Sequence, residues 1–152
     1  MFITQWTYGM MDFDDVKRLR TLRAGALGVP PELEFDWFDT IAAHLRVMHD
    51  GAGAAVARMY PDGGLTRIDR LFCDKTYERE GYYELMLRLM LYKAQTLAGE
   101  QIACAVPAAE RALYERFGLR QHGGEYDVAT VPHVELRVPR DGITWFSMCA
   151  HD

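Results

Sequence analysis

Several things are scarce in this sequence, and each scarcity narrows what the chain can be. No apolar run approaches the ~20 residues that a membrane-crossing helix needs. The N-terminus also lacks a basic flank leading into a cleavable apolar core. The expectation is a cytoplasmic protein that does not engage membranes. Cysteine is confined to Cys73, Cys104 and Cys149, which lie far apart and without Cys-x-x-Cys spacing. Neither a disulfide framework nor a metal site is expected from them, and the thiols are read as reduced. Basic clusters are missing as well. With 17 Lys and Arg against 22 Asp and Glu, the formal charge is −5, which excludes nonspecific nucleic-acid binding through phosphate neutralisation. Repeats, low-complexity runs and linkers are absent, so 152 residues read as one domain with a full core. Apolar residues make up 49% of the chain, which rules out intrinsic disorder.

Residues 65–99 organise what is present. LTRIDRLFC alternates, with Leu65, Arg67, Asp69, Leu71 and Cys73 on one face and Thr66, Ile68, Arg70 and Phe72 on the other. That pattern predicts a strand. GYYELMLRLMLYKAQTLAG, from Gly81 to Gly99, predicts a helix with a polar stripe of Glu84, Arg88 and Gln95 only, buried on its other sides. A strand, a short polar turn and a helix headed by glycine can hold a phosphate, because first-turn N–H groups lack partners within the helix.

Elsewhere the punctuation is regular. Residues 1–9 read as a strand. Asp12, Asp14 and Asp15 introduce a helix carrying Val16, Leu19, Leu22 and Leu27, which Gly28 and Pro30-Pro31 close. Arg18, Arg20 and Arg23 are expected on its solvated surface. In PPELEFDWFD the aromatics are expected to tuck into the core. Glu32, Glu34, Asp36 and Asp39 would then face water or form an acidic rim that attracts an ammonium group. Strands at 41–49, 54–60 and 65–73 with short turns should pair antiparallel. A buried strand at 101–106, a helix from Pro107 to Gly118, and strands at 119–128 and 134–138 complete the order. The tail, 139–152, carries Trp145, Phe146 and Met148. It is too apolar to float, and is expected to cover the domain (residues 1–138) or a second copy in a homodimer.

Four separated segments carry a resemblance. RIDRLFC with TYEREGYYELM, then ALYERFGL, then GVPPELEFDWFD and finally VPHVEL agree in order with the GNAT superfamily of N-acetyltransferases. The GVPPELEFDWFD and VPHVEL pieces resemble one bacterial subfamily in particular. The likeness runs to about residue 138. It implies an α/β (α+β) fold with a mixed, mostly antiparallel central sheet flanked by helices. It also implies transfer of an acetyl group from acetyl-CoA to the amine of a small molecule, without a metal. On that resemblance Leu71, Phe72 and Cys73 would bind the pantetheine arm and polarise the thioester. Glu78, Arg79, Glu80, Gly81, Tyr82 and Tyr83 would form the pyrophosphate loop. Tyr114 would return a proton to the departing thiolate, since a thiol titrates near ~8.5 and a phenol near ~10. Asp69, which would share a strand face with Leu71 and Cys73, competes with Glu34 and His133 as the base that deprotonates the amine.

This sequence departs from the superfamily's Gln/Arg-x-x-Gly-x-Gly/Ala loop at Glu78 and Tyr83. Those changes support a second expectation, a GNAT-fold protein that binds a metabolite or partner without acetylating. A third arises from the Glu-x-Asp-x-x-Asp spacing in ELEFDWFD, which resembles acyl-homoserine-lactone synthases and implies a different acyl donor.

Overall fold

A computed structural model describes residues 1–147. Its centre is one sheet of eight strands: β1 (Phe2–Tyr8), β2 (Ala43–His49), β3 (Ala52–Asp62), β4 (Leu65–Cys73), β5 (Gln101–Pro107), β6 (Arg120–Gln121), β7 (Tyr126–Val128) and β8 (Val131–Pro139). They lie in the order β1-β2-β3-β4-β5-β8-β6, with β7 also on β8. All neighbours are antiparallel except β4 and β5. The three consecutive strands β2, β3 and β4 pair as their short turns require. Four helices cover the sheet: α1 (Phe13–Leu27), α2 (Pro31–Glu34), α3 (Tyr82–Ala94) and α4 (Arg111–Arg116).

The main core forms where the apolar face of α3 (Met86, Leu87, Met90, Leu91) meets Leu45, Val47, Ile68 and Ile102 from the strands. A smaller cluster under α1 joins Phe13, Val16 and Leu19 to Val56 and packs Phe72. Strand β4 therefore shows two faces to two helix layers, but its alternation is not continuous. Ile68 and Leu71 enter the same cluster at an interval of three. Between them Arg70 adopts the left-handed region at φ 56°, and the β3 register shifts between Val56 and Arg58. This is a β-bulge, one extra residue that resets which way the following side chains point. It breaks the expected single face of Asp69, Leu71 and Cys73: Leu71 joins the α3 core while Asp69 is tied to Arg58.

The bulge also marks where β4 and β5 separate. Their parallel pairing runs from Leu65↔Gln101 to Ile68↔Cys104 and stops there, although both strands continue. Beyond that point the β5-facing edge of β4 has no strand partner among the described residues, and the sheet opens into a cleft.

Other boundaries differ from the sequence reading. Helix α3 ends at Ala94, five residues before Gly99, the intervening residues forming turns. The stretch expected as one helix after Pro107 is a 3-10 turn, Ala108–Glu110, followed by α4. The expected strand at 119–128 divides into β6 and β7. The polar stripe of α3 receives the tail instead of facing water. Arg88 lies 5.2 Å from the Phe117 ring and 4.8 Å from Phe146, and Gln95 Nε2 donates to the Arg140 carbonyl at 3.2 Å. Thr144 N–H donates to the Phe117 carbonyl at 2.8 Å. The tail thus packs on its own chain as far as Phe146. Met148 and Cys149 lie outside the described residues.

Candidate active site at the strand cleft

The largest departure from sequence expectation lies around α1 and α2. Arg20 and Arg23 were expected in water but are buried, at 0% and 6% exposure, as are Glu34 (1%) and Asp39 (2%). Trp37 is 66% exposed instead of tucked in. Charge pairing explains the inversion. Arg20 Nε donates to Glu34 Oε2 at 2.8 Å, and its Nη1 donates to Asp39 Oδ1 at 2.7 Å. Arg58 clamps Asp69 through Nε and Nη2, both at 2.8 Å, and reaches Asp36 Oδ1 at 2.6 Å and Asp39 Oδ1 at 3.2 Å. Arg70 Nη1 donates to Asp69 Oδ2 at 2.9 Å, and Arg23 Nη1 donates to Glu34 Oε1 at 2.7 Å. Buried ions persist only when paired and hydrogen-bonded, and here each carboxylate meets at least two guanidinium groups. Of the expected acidic rim, Glu34, Asp36 and Asp39 are thereby neutralised, while Glu32 is exposed.

Two cavities open along the cleft. The first, about 250 Å³, is lined by Leu71, Phe72, Cys73 and Tyr83 together with Arg23, Ala26, Leu27 and Glu110. It brings together four of the nine residues expected to bind the cofactor. The other five stand elsewhere: Glu78, Arg79, Glu80 and Gly81 form an exposed turn, and Tyr82 begins α3. Gly81 sits at φ +76°, and a Cβ placed there would meet nothing within 4 Å. No side chain caps the helix; its first hydrogen bond runs from Leu85 N–H to the Gly81 carbonyl. The N–H groups of Tyr82, Tyr83 and Glu84 have no hydrogen-bond acceptor among the described residues, which leaves them available to a diphosphate. Tyr82 contributes backbone only, since its hydroxyl meets His49 Nδ1.

Tyr83 does not crowd this turn. Its hydroxyl is turned inward, donating to Glu110 Oε1 at 2.7 Å and lying 3.0 Å from the Tyr114 hydroxyl. Burial, with the neighbouring Cys104 and Glu110, pushes Tyr114 well above the ordinary phenol value despite the opposing Tyr83 hydrogen bond, and burial with Tyr114 and Glu110 raises Tyr83. Both phenols are therefore protonated at neutral pH. Burial likewise lifts the Cys73 thiol to about 11, so it is not a nucleophile here.

The second cavity, about 230 Å³, holds all three candidate bases: Glu34, Asp69 and His133. Arg23 lines both cavities. Burial would raise the Asp69 carboxyl, but Arg58 and Arg70 outweigh it and hold it well below the usual carboxylate range. Glu34 is occupied by Arg20 and Arg23. His133 differs from both. Its Nδ1 lies 2.9 Å from the Val131 carbonyl, which fixes the proton there. Nε2 is then a lone-pair acceptor that no described residue engages. Burial moves His133 below its ordinary value, outweighing the Val131 bond, so the ring is neutral near pH 7.

By sequence, no protein-family model and no curated protein matches the chain. Comparison of structures gives a different result. An acyl-CoA N-acyltransferase from Pseudomonas aeruginosa superposes with a TM-score of 0.77 at 19% identity, covering 90% of this chain and 99% of its own. FeeM, an N-acyl amino acid synthase from uncultured soil microbes, gives 0.73 at 13% identity, covering 92% and 91%. The AHL synthase LasI gives 0.72 at 12% identity, covering 93% and 91%. The fold is that of the GNAT acyl-CoA N-acyltransferases. At these identities the GNAT likeness extends to architecture alone. Within this GNAT fold, sequence reasoning missed Arg23, Arg58, Arg70 and Glu110. One signal was present: Arg20 and Arg23 follow Val16 by four and seven residues, the spacing of a single helix face.

Proposed function

We propose that the protein is an N-acyltransferase that moves an acetyl group from acetyl-CoA to the amine of a small molecule by direct attack. The observation that carries this reading is the cleft beyond Ile68 and Cys104, with two cavities sharing Arg23 as a common wall. Acetyl-CoA supplies the activated acyl group as a thioester. The open N–H groups heading α3 suit its diphosphate, with exposed Arg79 nearby to offset Glu78 and Glu80. The unpaired edge of β4 suits the pantetheine arm, and its amides suit the developing oxyanion.

His133 Nε2 takes a proton from the incoming ammonium, leaving the neutral amine to attack. Asp69 and Glu34 hold the arginines in place instead. A raised Tyr114 alters the role drawn from ordinary phenol chemistry. Full proton transfer from a phenol above 10 to a thiolate near ~8.5 is uphill. Tyr114 therefore serves as a hydrogen-bond donor to the departing sulfur, and the product nitrogen supplies the final proton. Tyr114 stands behind Tyr83, which lines the first cavity, and with Tyr83 donating to Glu110 the Tyr114 O–H has, among the described residues, only the Tyr83 oxygen as acceptor until sulfur arrives.

Thermal unfolding with added acetyl-CoA tests the donor site. At 100 times its dissociation constant a bound ligand adds ~2.7 kcal/mol and raises Tm visibly. An unmoved transition at millimolar acetyl-CoA would sink the acetyltransferase reading and favour a binding protein, the alternative suggested by the loop's departures at Glu78 and Tyr83. A shift with longer acyl-CoA alone would favour the different-donor reading, for which LasI and FeeM are the structural parallels. Given binding, Tyr114→Phe should lower kcat by about 10²-fold while the acetyl-CoA affinity stays within a few-fold. An unchanged kcat would remove Tyr114 from the chemistry.

A further inference from the structure

We propose that the second cavity accepts an amine that also carries a carboxylate, an α-amino acid with an apolar side chain, and that Arg23 binds that carboxylate. This rests on the acyltransferase reading above and names its acceptor class. Arg23 and Arg70 line the cavity, and Arg20 and Arg58 pair with the acids behind it. Arg20 reaches Glu34 and Asp39; Arg58 reaches Asp36, Asp39 and Asp69; Arg70 reaches Asp36 and Asp69. Arg23 alone reaches a single carboxylate, through Nη1 to Glu34 Oε1. That carboxylate is shared with Arg20 at 2.8 Å and approached by Arg70 at 3.6 Å. Nε and Nη2 of Arg23 have no acceptor among the described residues, although the residue is 94% buried (6% exposed). Such a guanidinium facing a cavity presents donors in the fork geometry that matches a carboxylate.

The remaining walls agree with this choice. His133 Nε2 supplies a neutral acceptor for the amine end, and the Arg23 charge lies close enough to help hold His133 neutral. Val29, Leu33, Tyr60, Tyr126 and Val128 supply an apolar boundary for a side chain. At about 230 Å³ the cavity falls below the ~300–1,000 Å³ usual for drug-sized ligands, which favours a single amino acid over a larger acceptor. A polyamine is disfavoured for a separate reason. Glu34 and Asp69 are already consumed by arginines, so no free anion remains to hold a second ammonium.

Paired acceptors test the inference with the full chain: L-leucine against 3-methylbutylamine, and L-phenylalanine against 2-phenylethylamine. Thiol release from acetyl-CoA would be followed, with the amide product confirmed by mass. The amino acids should be acylated, and each decarboxylated partner should show kcat/KM lower by about 100-fold, the scale of a lost charge-assisted pair. Arg23→Gln should bring the amino-acid rate down toward that of the amine, and Arg23→Lys should recover part of the preference. Amines used as well as the amino acids would overturn the inference while leaving an acyltransferase. Failure of every acceptor despite a donor-induced Tm shift would also overturn it. Failure of the donor shift itself would remove the underlying reading, so the two failures are distinguishable. Because the wild-type comparison needs no variant, misfolding of an Arg23 substitution does not blunt the test.

Discussion

Replacing Arg58 with methionine should destabilise the protein by about 3–5 kcal/mol, the range seen when one partner of a buried ion pair is removed. Arg58 leaves β3 into the middle of the acidic cluster. Its loss strands Asp69 without its bidentate partner and Asp39 with Arg20 alone. Methionine fills comparable volume, so the loss reports charge, not a cavity. Urea unfolding of the two proteins at neutral pH measures it, and a difference under 1 kcal/mol would contradict the role assigned to the pair.

The same pair fixes the direction of a pH effect. Asp69 is held below its unfolded value, so the stability it contributes is present above about pH 3.9 and fades as pH falls toward the folded pKa. The gap between wild type and Arg58→Met should therefore begin to narrow below about pH 5 and go on narrowing well below pH 3. Combining Arg58→Met with Asp69→Leu should recover much of the loss, because the orphaned carboxylate is then gone.

His133→Gln should lower kcat/KM by about 10²–10⁴-fold, the usual contribution of a positioned base. Glutamine preserves polarity and approximate size while offering no titratable nitrogen. Since burial moves His133 downward, wild-type activity should persist to pH values below ~6.5 and then fall as the ring protonates. That acid limb should be absent from the residual activity of the variant. A variant that retains the limb would place the base elsewhere in the cavity. Asp69→Asn provides the contrast: it should act on stability more than on the limb, because Arg58 and Arg70 already occupy that carboxylate.

The order of elements could be read because its signals are local. Gly28 closes α1, Gly81 heads α3 and Gly118 follows α4, each in the left-handed region that glycine enters without a Cβ penalty. Alternation placed β4 correctly at Leu65–Cys73. It could not reveal the bulge, because Arg70 in a left-handed conformation has no marker in the chain. Only pairing with β3 shows that the register shifts there. The three candidate bases do converge on one cavity. What ranks His133 ahead of Glu34 and Asp69 is which carboxylates the arginines occupy, and those arginines come from three separate elements, α1, β3 and β4.

Composition, periodicity and glycine placement by themselves determined the order of the main strands and helices, α2 and the division of β6 from β7 excepted, since each depends on a few neighbouring residues and on backbone sterics. The disposition of charge was settled only by tertiary contacts. Arg20 and Asp39 are 19 residues apart, and Arg23 and Glu34 are 11 apart. A polar residue in a one-dimensional pattern reads as solvent-facing, because water is its default partner. Folding brings the opposite charges together, and that pairing lets them enter the interior beside the cleft.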